Sequence, residues 1–418
     1  MNQTASKKRQ FIRVTQIAMA SAAFALIAAC GGGSDNNNNA SSTPAGGVKL
    51  QVVSFGDSLS DVGTYSPVIQ SSFGGGRFTT NPGEVWTQKV AEYYGGTLTP
   101  AYVGGFGQPL VATGGFGYAQ GGSDVVNPQG QGWAPNNLAA TTVPVVTQVA
   151  NYLSAHTNFN ANQLVLVNGG ANDIFQFAGT TANLTALATA LATQYPLLVQ
   201  AGQLPNSQAG QVAFIVGYLQ QLPNPQIAQA ATQLAAQVQT IVNSGATHVV
   251  VSTVPDIGNT PLGVAAEAAT PGSSKLLTGI TAAYNYLLVQ NMTALGLVGT
   301  GAGKVIVADA FTWLDQQLPN YKALGFTVSN TGTACNLAAM VSNATAYATA
   351  NPGATNGLTP AQYGAQFGSS LFCSPQTYTV AGADQTYMFA DTVHPSTHTH
   401  ALFAQYVQQQ IAATGLGK

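Results

Sequence analysis

Short runs of Val, Leu and Ile recur along the chain, and each of them ends at glycine or at a polar residue. The clearest runs span residues 48–55, 163–167, 248–254 and 305–308. Between them lie Ala-, Gln- and Leu-rich stretches with apolar residues at helical spacing, most clearly at 226–244, 276–295 and 401–413. Continuous apolar strands that alternate with helices are typical of a parallel sheet with both faces covered, so the sequence predicts an α/β fold.

The N-terminal residues precede this pattern and have a different composition. Four basic side chains among the first 13 residues come before an apolar run, 17–29, that is too short to span a membrane. We therefore expect a secretory signal over residues 1–29. Residues 30–47 are rich in Gly, Asn and Ser, and we expect them to form a flexible tether.

The end of the signal resembles a bacterial lipobox, because residues 26–30 read Leu-Ile-Ala-Ala-Cys. The resemblance implies that Cys30 is lipidated and becomes the first residue of the mature chain. Gly31 follows instead of the Asp that tends to hold such proteins at the inner membrane, which implies an outer-membrane lipoprotein, facing the periplasm or the surface. The alternative is an ordinary cleaved signal peptide and a secreted protein.

Charge excludes one class of partner. Without the four basic residues of the signal, the chain has seven basic and thirteen acidic side chains, a net charge of −6. No basic patch is present to neutralise phosphates, so we expect no binding to nucleic acid.

Two cysteines remain besides Cys30. Cys335 and Cys373 are 38 residues apart in a chain predicted to be exported, and we expect them to form a disulfide. A metal site would need more ligands nearby than the sequence offers there.

Three segments do not follow the alternation of strands and helices. We interpret them as insertions into a single domain, 48–418, on the side where a parallel sheet places its sites. They span about 73–136, 175–225 and 314–389. The first contains nine aromatic residues from Phe73 to Tyr118, which either line a groove for substrate or pack in the core.

Ser58 follows the first apolar run, in the sequence Gly56-Asp57-Ser58. At the end of a parallel strand, a serine can present its hydroxyl beside donors that stabilise negative charge. Alone, this short motif is equally consistent with a helix cap. We expect Asp57 to bind backbone groups of the turn and Asp61 to cap the next helix.

A second polar segment, 391–396, reads Asp-Thr-Val-His-Pro-Ser. A carboxylate three residues before a histidine can orient the imidazole of that histidine. Asp391 and His394 could therefore be the orienting carboxylate and the base of a nucleophilic triad. The alternative is a surface loop with an incidental histidine. His398 and His400 could suggest a metal, but no further ligands accompany them, and we expect no metal and no cofactor.

Two glycine-rich segments could supply hydrogen-bond donors. Asn172 lies in 167–175 (VNGGANDIF), directly after a strand run, and offers an amide. In 117–125 (GYAQGGSDV), Gly121 or Gly122 would let a backbone N–H approach a ligand closely. An ordinary glycine-rich turn is the alternative for each segment.

Together, the four segments FGDSLSDVG, YAQGGS, GGAND and DTVHP resemble the four sequence blocks of the GDSL, or SGNH, serine esterases and lipases, in order. The style of the blocks is closest to the bacterial lipase and phospholipase-like branch. The resemblance implies a flavodoxin-like three-layer α/β/α sandwich with a mostly parallel sheet and large loop and helical insertions.

The resemblance also implies a role for each site residue. The catalytic residues are Ser58 as the nucleophile, His394 as the general base and acid, and Asp391 as the orienter. The oxyanion hole comprises the Ser58 N–H, the Gly122 N–H and the Asn172 side chain. The N–H of the neighbouring Gly121 is the alternative to that of Gly122.

The implied substrate is a neutral carboxylic ester: a lipid, a short-chain ester, an acetylated sugar or a polyester. We expect a monomer that contacts a membrane only through its N-terminal lipid. The alternatives are a non-catalytic surface lipoprotein that binds glycan or lipid, and an acyltransferase on the same fold.

Overall fold

The apolar runs of the chain form the strands of a central sheet. The computed structural model describes residues 43–299, 305–355 and 357–418, so the predicted signal and Cys30 lie outside the described residues. The strands are β1 (Gln51–Phe55), β2 (Tyr102–Gly105), β3 (Gln108–Ala112), β4 (Gln163–Val167), β5 (His248–Ser252) and β6 (Val305–Ala308). Strands β1, β4, β5 and β6 pair in parallel in that order, whereas β2 and β3 form a separate antiparallel hairpin. Each predicted strand run contains one strand of the parallel sheet.

An irregular segment around Gly117 extends the sheet beyond β1. The Ser54 N–H donates to Phe116 O at 3.0 Å, and the Tyr118 N–H donates to Ser54 O at 2.8 Å. The bridge between Ser54 and Gly117 is parallel. The second segment of the sheet therefore lies outside the first, as in the flavodoxin-like strand order.

Helices fill the connections between the strands. They are α1 (Ser66–Phe73), α2 (Trp86–Tyr93), α3 (Val145–His156), α4 (Ala171–Ala178), α5 (Thr181–Thr193), α6 (Tyr195–Gln200), α7 (Gln208–Gln221), α8 (Gln226–Asn243), α9 (Pro261–Ala269), α10 (Ser273–Ala294), α11 (Ala310–Gln317), α12 (Leu337–Ala350), α13 (Pro360–Ala365), α14 (Ala383–Thr386) and α15 (Thr397–Ala412). Among the helices described, none combines the length and the apolarity needed to cross a membrane.

Helices cover both faces of the sheet. Alternate side chains of a strand point to opposite faces. Val53 and Val165 belong to an apolar cluster with buried side chains of α3, α8 and α10. Val52 and Leu164 belong to a second cluster with buried side chains of α2 and α15. The protein is thus a three-layer α/β/α sandwich, as predicted.

Helix α8 illustrates how the local sequence specifies these layers. Its buried side chains recur at intervals of three and four residues, the spacing of one helical face: Ile227, Ala230, Ala231, Leu234, Ala235, Val238, Ile241 and Val242. The chain turns away at Gly245, where φ is +99° and a Cβ would lie 2.9 Å from Phe159 O. Because side chains rarely adopt this conformation, the glycine ends the helix close to the predicted position.

The disulfide predicted between Cys335 and Cys373 is present, with Cα atoms 5.9 Å apart. It links the residues before α12 to the short turn Ser370–Phe372. Both cysteines are buried in a small apolar cluster. The bond therefore anchors the segment of the chain that precedes Asp391.

The three segments interpreted as insertions differ in structure. Residues 73–136 include α2, which packs on the sheet, and the hairpin of β2 and β3. Residues 175–225 include α5 to α7, and residues 314–389 include α12 to α14. The domain boundaries inferred from the sequence remain predictions.

Candidate active site

Ser58 lies at the carboxyl end of the sheet, in the turn that follows β1. Gly56 begins this turn with a φ of +153°, and a Cβ there would come within 2.0 Å of Asn168 Oδ1. Gln148 on α3 holds the same glycine twice: its Oε1 accepts from the Gly56 N–H and its Nε2 donates to Gly56 O, both at 2.8 Å. These contacts leave room only for glycine and fix the path of the chain into Ser58.

Asp57 binds the turn around Ser58, as expected from the sequence. Its Oδ1 accepts from the Leu59 N–H at 3.0 Å and from Asn168 Nδ2 at 2.7 Å. Asn168 Oδ1 in turn accepts from Ser60 Oγ at 2.6 Å. Since Asn168 directly follows β4, these bonds join the ends of two neighbouring strands beneath the serine.

Hydrogen bonds join Ser58, His394 and Asp391, although the serine and the histidine are 336 residues apart. His394 Nε2 lies 2.8 Å from Ser58 Oγ, and His394 Nδ1 lies 2.7 Å from Asp391 Oδ2 and 2.9 Å from Oδ1. With the proton on Nδ1 donated to the carboxylate, Nε2 is left to accept from the serine hydroxyl. This is the order of nucleophile, base and orienting carboxylate in a serine hydrolase triad.

Backbone groups hold the Asp391 carboxylate in place. Oδ1 accepts from the N–H groups of Val393 at 3.0 Å and His394 at 2.8 Å, and Oδ2 accepts from the Ser370 N–H at 2.7 Å. Burial alone raises the pKa of Asp391, but the charge of His394 and these hydrogen bonds outweigh it and hold the pKa well below its usual value. The carboxylate is therefore ionised at neutral pH.

Three candidate oxyanion donors line one cleft with Ser58 Oγ. The backbone N–H groups of Ser58 and Gly122 have no acceptor among the residues that the structure describes. Asn172 Nδ2 donates to Ser123 O at 2.9 Å, which leaves its second hydrogen available. The Gly121 N–H instead donates to Asp61 Oδ2 at 2.8 Å. The sequence did not decide between the N–H groups of Gly121 and Gly122 as oxyanion donors. Of the two, only the Gly122 N–H lacks an acceptor among the described residues.

Gly122 adopts a conformation that other residues rarely accept. Its φ is +81°, and a Cβ would meet Gln131 O at 2.0 Å. The Gln131 N–H also donates to Gly122 O at 2.8 Å, so the two backbone segments lie in direct contact. Only glycine therefore permits this close approach of the two backbone segments at a position that lines the cleft.

Asp61 does not cap the following helix, contrary to our expectation. Helix α1 begins only at Ser66, and its first turn has no side-chain cap. Asp61 Oδ1 instead accepts from the N–H groups of Gly63 at 2.9 Å and Thr64 at 2.7 Å, while Oδ2 binds Gly121. The loop after Ser58 is too long for a cap at position 61, and the carboxylate connects this loop to the glycine segment beside it.

The cleft has a volume of about 600 Å³ and a mostly apolar lining. Of the nine aromatic residues between Phe73 and Tyr118, only Phe78 and Phe106 line it. Phe73 lines a neighbouring aromatic pocket. The other six pack in or against the two apolar clusters that cover the sheet, as the core interpretation predicted for them.

His398 and His400 lie outside the cleft lining. Burial lowers the pKa of His400 to about 3, so the ring is neutral, and its Nδ1 accepts from the Trp86 N–H at 3.3 Å. His398 packs against Phe326 and contacts Gln385 O through Nδ1 at 2.7 Å. Within residues 43–299, 305–355 and 357–418, no group of three or more His, Cys, Asp or Glu could hold a metal ion.

A family model described as GDSL-like Lipase/Acylhydrolase matches residues 52–407. The chain belongs to this family. A search of the curated proteins finds no match. Members of the GDSL-like family are hydrolases that act on esters, so the protein is a hydrolase of this class. The matched range contains every residue of the site described above, whereas Cys30 lies outside it.

Sequence reasoning missed several residues that position the site of this GDSL-like hydrolase. Asn168 lies in the segment 167–175, where only Asn172 was singled out, and its place directly after a strand was a usable signal. Gln148 contacts Gly56 from 92 residues away, and Ser370 contacts Asp391 from 21 residues away. Neither has a local sequence pattern that indicates its partner.

Proposed function

We propose that the protein cleaves carboxylic esters through an acyl-enzyme formed on Ser58. The observation that carries this proposal is the continuous hydrogen-bonded series from Ser58 Oγ through the His394 ring to Asp391, with distances of 2.8 and 2.7 Å. A serine hydroxyl is a weak nucleophile at neutral pH and needs an adjacent base. His394 supplies that base at hydrogen-bond distance.

In the first half-reaction, Ser58 Oγ attacks the ester carbonyl carbon while His394 Nε2 accepts the hydroxyl proton. The tetrahedral intermediate collapses when the bond to the alcohol oxygen breaks, and His394 returns its proton to that oxygen. In the second half-reaction, water attacks the acyl-enzyme, His394 takes a proton from the water, and Ser58 leaves with that proton. Asp391 keeps its charge throughout and stabilises the imidazolium.

The oxyanion of each intermediate lies among the Ser58 N–H, the Gly122 N–H and the Asn172 amide. Loss of one such donor typically lowers kcat by about 10²–10³. We therefore expect Asn172→Ala to lower kcat by about that factor, measured on a chromogenic ester, and to leave KM nearly unchanged. A loss in kcat of less than about threefold would remove Asn172 from the oxyanion hole.

The direct test is Ser58→Ala, assayed on p-nitrophenyl butyrate together with labelling by a fluorophosphonate probe. We expect the variant to lose both turnover and labelling while its circular dichroism spectrum is unchanged. Ser71→Ala is the matched control, because Ser71 is exposed on α1 and its Oγ bonds only Val68 O within the part of the chain that the structure describes. Labelling of the Ser58 variant at another serine would place the nucleophile elsewhere.

We also propose that the protein is exported and anchored to the outer membrane through a lipid on Cys30. The lipobox-like segment 26–30 supports this, as does the disulfide, which is typical of oxidising compartments. Cells fed with labelled palmitate should incorporate the label into the wild type and not into Cys30→Ser. Unlabelled wild-type protein in the culture medium would favour the ordinary signal peptide.

A further inference from the structure

The cleft around Ser58 has two sides of different chemistry. We name one side the apolar lobe; it comprises Phe175, Ala178, Leu184, Leu262, Ala266 and Leu277, from helices α4, α5, α9 and α10. These six side chains carry no hydrogen-bonding atom. The apolar lobe begins beside Asn172 on α4, and α9 connects it to the histidine loop, because the Leu262 N–H donates to Thr392 O at 2.9 Å.

Another part of the cleft lining combines polar side chains with aromatic ones that belong to a different apolar cluster from the apolar lobe. We name it the amide lobe; it comprises Gln131, Gln366, Ser369, Phe106 and Phe372. The two aromatic rings meet edge to face at 5.9 Å and form its wall. The two amides and the hydroxyl can bind an uncharged group that donates or accepts hydrogen bonds.

Charge further limits what the cleft can bind. Among the described residues that line it, His394 is the only titratable one. Arg77 does not line the cleft, and its guanidinium donates to the carbonyl oxygens of Val62 and Pro82. A phosphate or carboxylate on the substrate would therefore be desolvated in the cleft without a cationic partner, which is unfavourable.

Leu184 is the residue of the apolar lobe that the cleft shares with a neighbouring groove. This half-buried side chain also lines a second groove, of about 1200 Å³, between α5, α7 and α10. Leu184 thus stands between the cleft that contains Ser58 and a larger space beside it.

We propose that the substrate is a fatty-acid ester of an uncharged, hydrogen-bonding alcohol, with its acyl chain in the apolar lobe and its alcohol in the amide lobe, and that Leu184 limits the acyl length. This inference rests on the proposed function. A hydrocarbon chain matches a surface without polar atoms, and each methylene that it buries there raises kcat/KM by about fourfold. An acyl chain that reaches Leu184 gains nothing further from added methylenes.

The acyl half is tested by kcat/KM for p-nitrophenyl esters from acetate to palmitate. We expect kcat/KM of the wild type to rise with acyl length up to a limit and then to rise no further. Leu184→Ala should move the limit to longer chains, and Leu184→Trp should move it to shorter ones. Leu191→Ala is the matched control, since Leu191 lies two turns away on α5 and lines only the second groove.

A limit that is the same in the wild type, Leu184→Ala and Leu184→Trp would overturn the assignment of the apolar lobe. Unfolding of one Leu184 variant leaves the other to decide, because the two substitutions predict opposite shifts. Failure here is distinct from failure of the proposed function. The wild type would still hydrolyse esters and Ser58→Ala would not, whereas a wrong nucleophile would leave Ser58→Ala active.

The alcohol half is tested by comparing a monoacylglycerol with a lysophosphatidylcholine of the same acyl chain. We expect kcat/KM at least tenfold higher for the glycerol ester, because the phosphate finds no cation in the cleft. Gln366→Ala should reduce this ratio, since the amide then no longer binds the glycerol hydroxyls. Equal or faster hydrolysis of the lysophosphatidylcholine would overturn this half of the inference.

Discussion

Substitution of Asp391 by asparagine retains the shape of the side chain and removes its charge. In the native protein, one carboxylate oxygen faces the N–H groups of Val393 and His394, and the other faces the Ser370 N–H. An amide has one acceptor oxygen, so its NH₂ group must face at least one of these donors. The buried donor that loses its acceptor costs about 1–3 kcal/mol of the free energy of unfolding.

The catalytic effect is expected to be larger than the effect on stability. The amide cannot accept from His394 Nδ1 and stabilise the imidazolium as the carboxylate does. If its NH₂ group faces the ring, it holds the imidazole with the proton on Nε2, which cannot accept from Ser58 Oγ. The equivalent substitution in a serine hydrolase triad lowers kcat by about 10⁴, which corresponds to about 5–6 kcal/mol of the activation barrier.

The assay is kcat on p-nitrophenyl butyrate, with thermal unfolding measured on the same preparation. Asp384→Asn is the matched control, because among the described residues the Asp384 side chain hydrogen-bonds only Gln385. We expect a fall of about 10⁴ in kcat for Asp391→Asn and no more than a twofold change for Asp384→Asn. A fall of less than tenfold in the Asp391 variant would refute the role of the carboxylate as the orienter of His394.

Two further predictions concern stability. Reduction of the Cys335–Cys373 disulfide should lower the free energy of unfolding by about 3–4 kcal/mol, and also lower activity, because the bond anchors the segment whose Ser370 N–H binds Asp391. An unchanged melting temperature in dithiothreitol would contradict this. Asp124 is fully buried, and burial raises its pKa to about 8, against about 3.9 in an unfolded chain. The folded chain therefore binds the proton more firmly, and stability is lost as pH rises from about 4 to about 8. Asp124→Asn should thus raise the melting temperature at pH 8 relative to the wild type more than at pH 5; an equal difference at both would contradict the buried-acid explanation.

The parallel sheet could be predicted from the sequence because its signals are local. Strand β4 is buried along its whole length, and the predicted run 163–167 coincides with it. Helix α8 is amphipathic and ends at glycine, so both of its ends were predicted to within a residue. In contrast, the segment around Gly117 was not predicted as part of the sheet, because its pairing with β1 gives no apolar alternation in its own sequence.

Sequence analysis identified the candidate site residues that lie in short motifs. It missed the distant side chains that hold those residues in position. The Asp391 and His394 pair can be recognised in the short segment 391–395 (DTVHP). Gln148 cannot, since a glutamine on a helix shows nothing of the glycine that it binds. The predicted role of Asp61 was wrong because the next helix begins only at Ser66, and one oxygen of Asp61 instead binds Gly121, 60 residues away. Support of this kind depends on the tertiary fold, which local patterns do not specify.

The distribution of acidic residues follows from the chemistry of the site. The chain is poor in charge, yet Asp57, Asp61, Asp124 and Asp173 are all almost fully buried around the segments that carry Ser58, Gly122 and Asn172. Burial raises the pKa of each of these four.

Asp391 is equally buried, but its pKa is lowered, because it alone among these carboxyl groups pairs directly with an imidazole. Among these five carboxyl groups, the pKa is lowered only at the one beside which a positive charge can form. The imidazolium forms during the reaction that we propose. The site thus favours ionisation at the carboxyl group whose charge the reaction needs, and it disfavours ionisation at the carboxyl groups that mainly hold its loops in place.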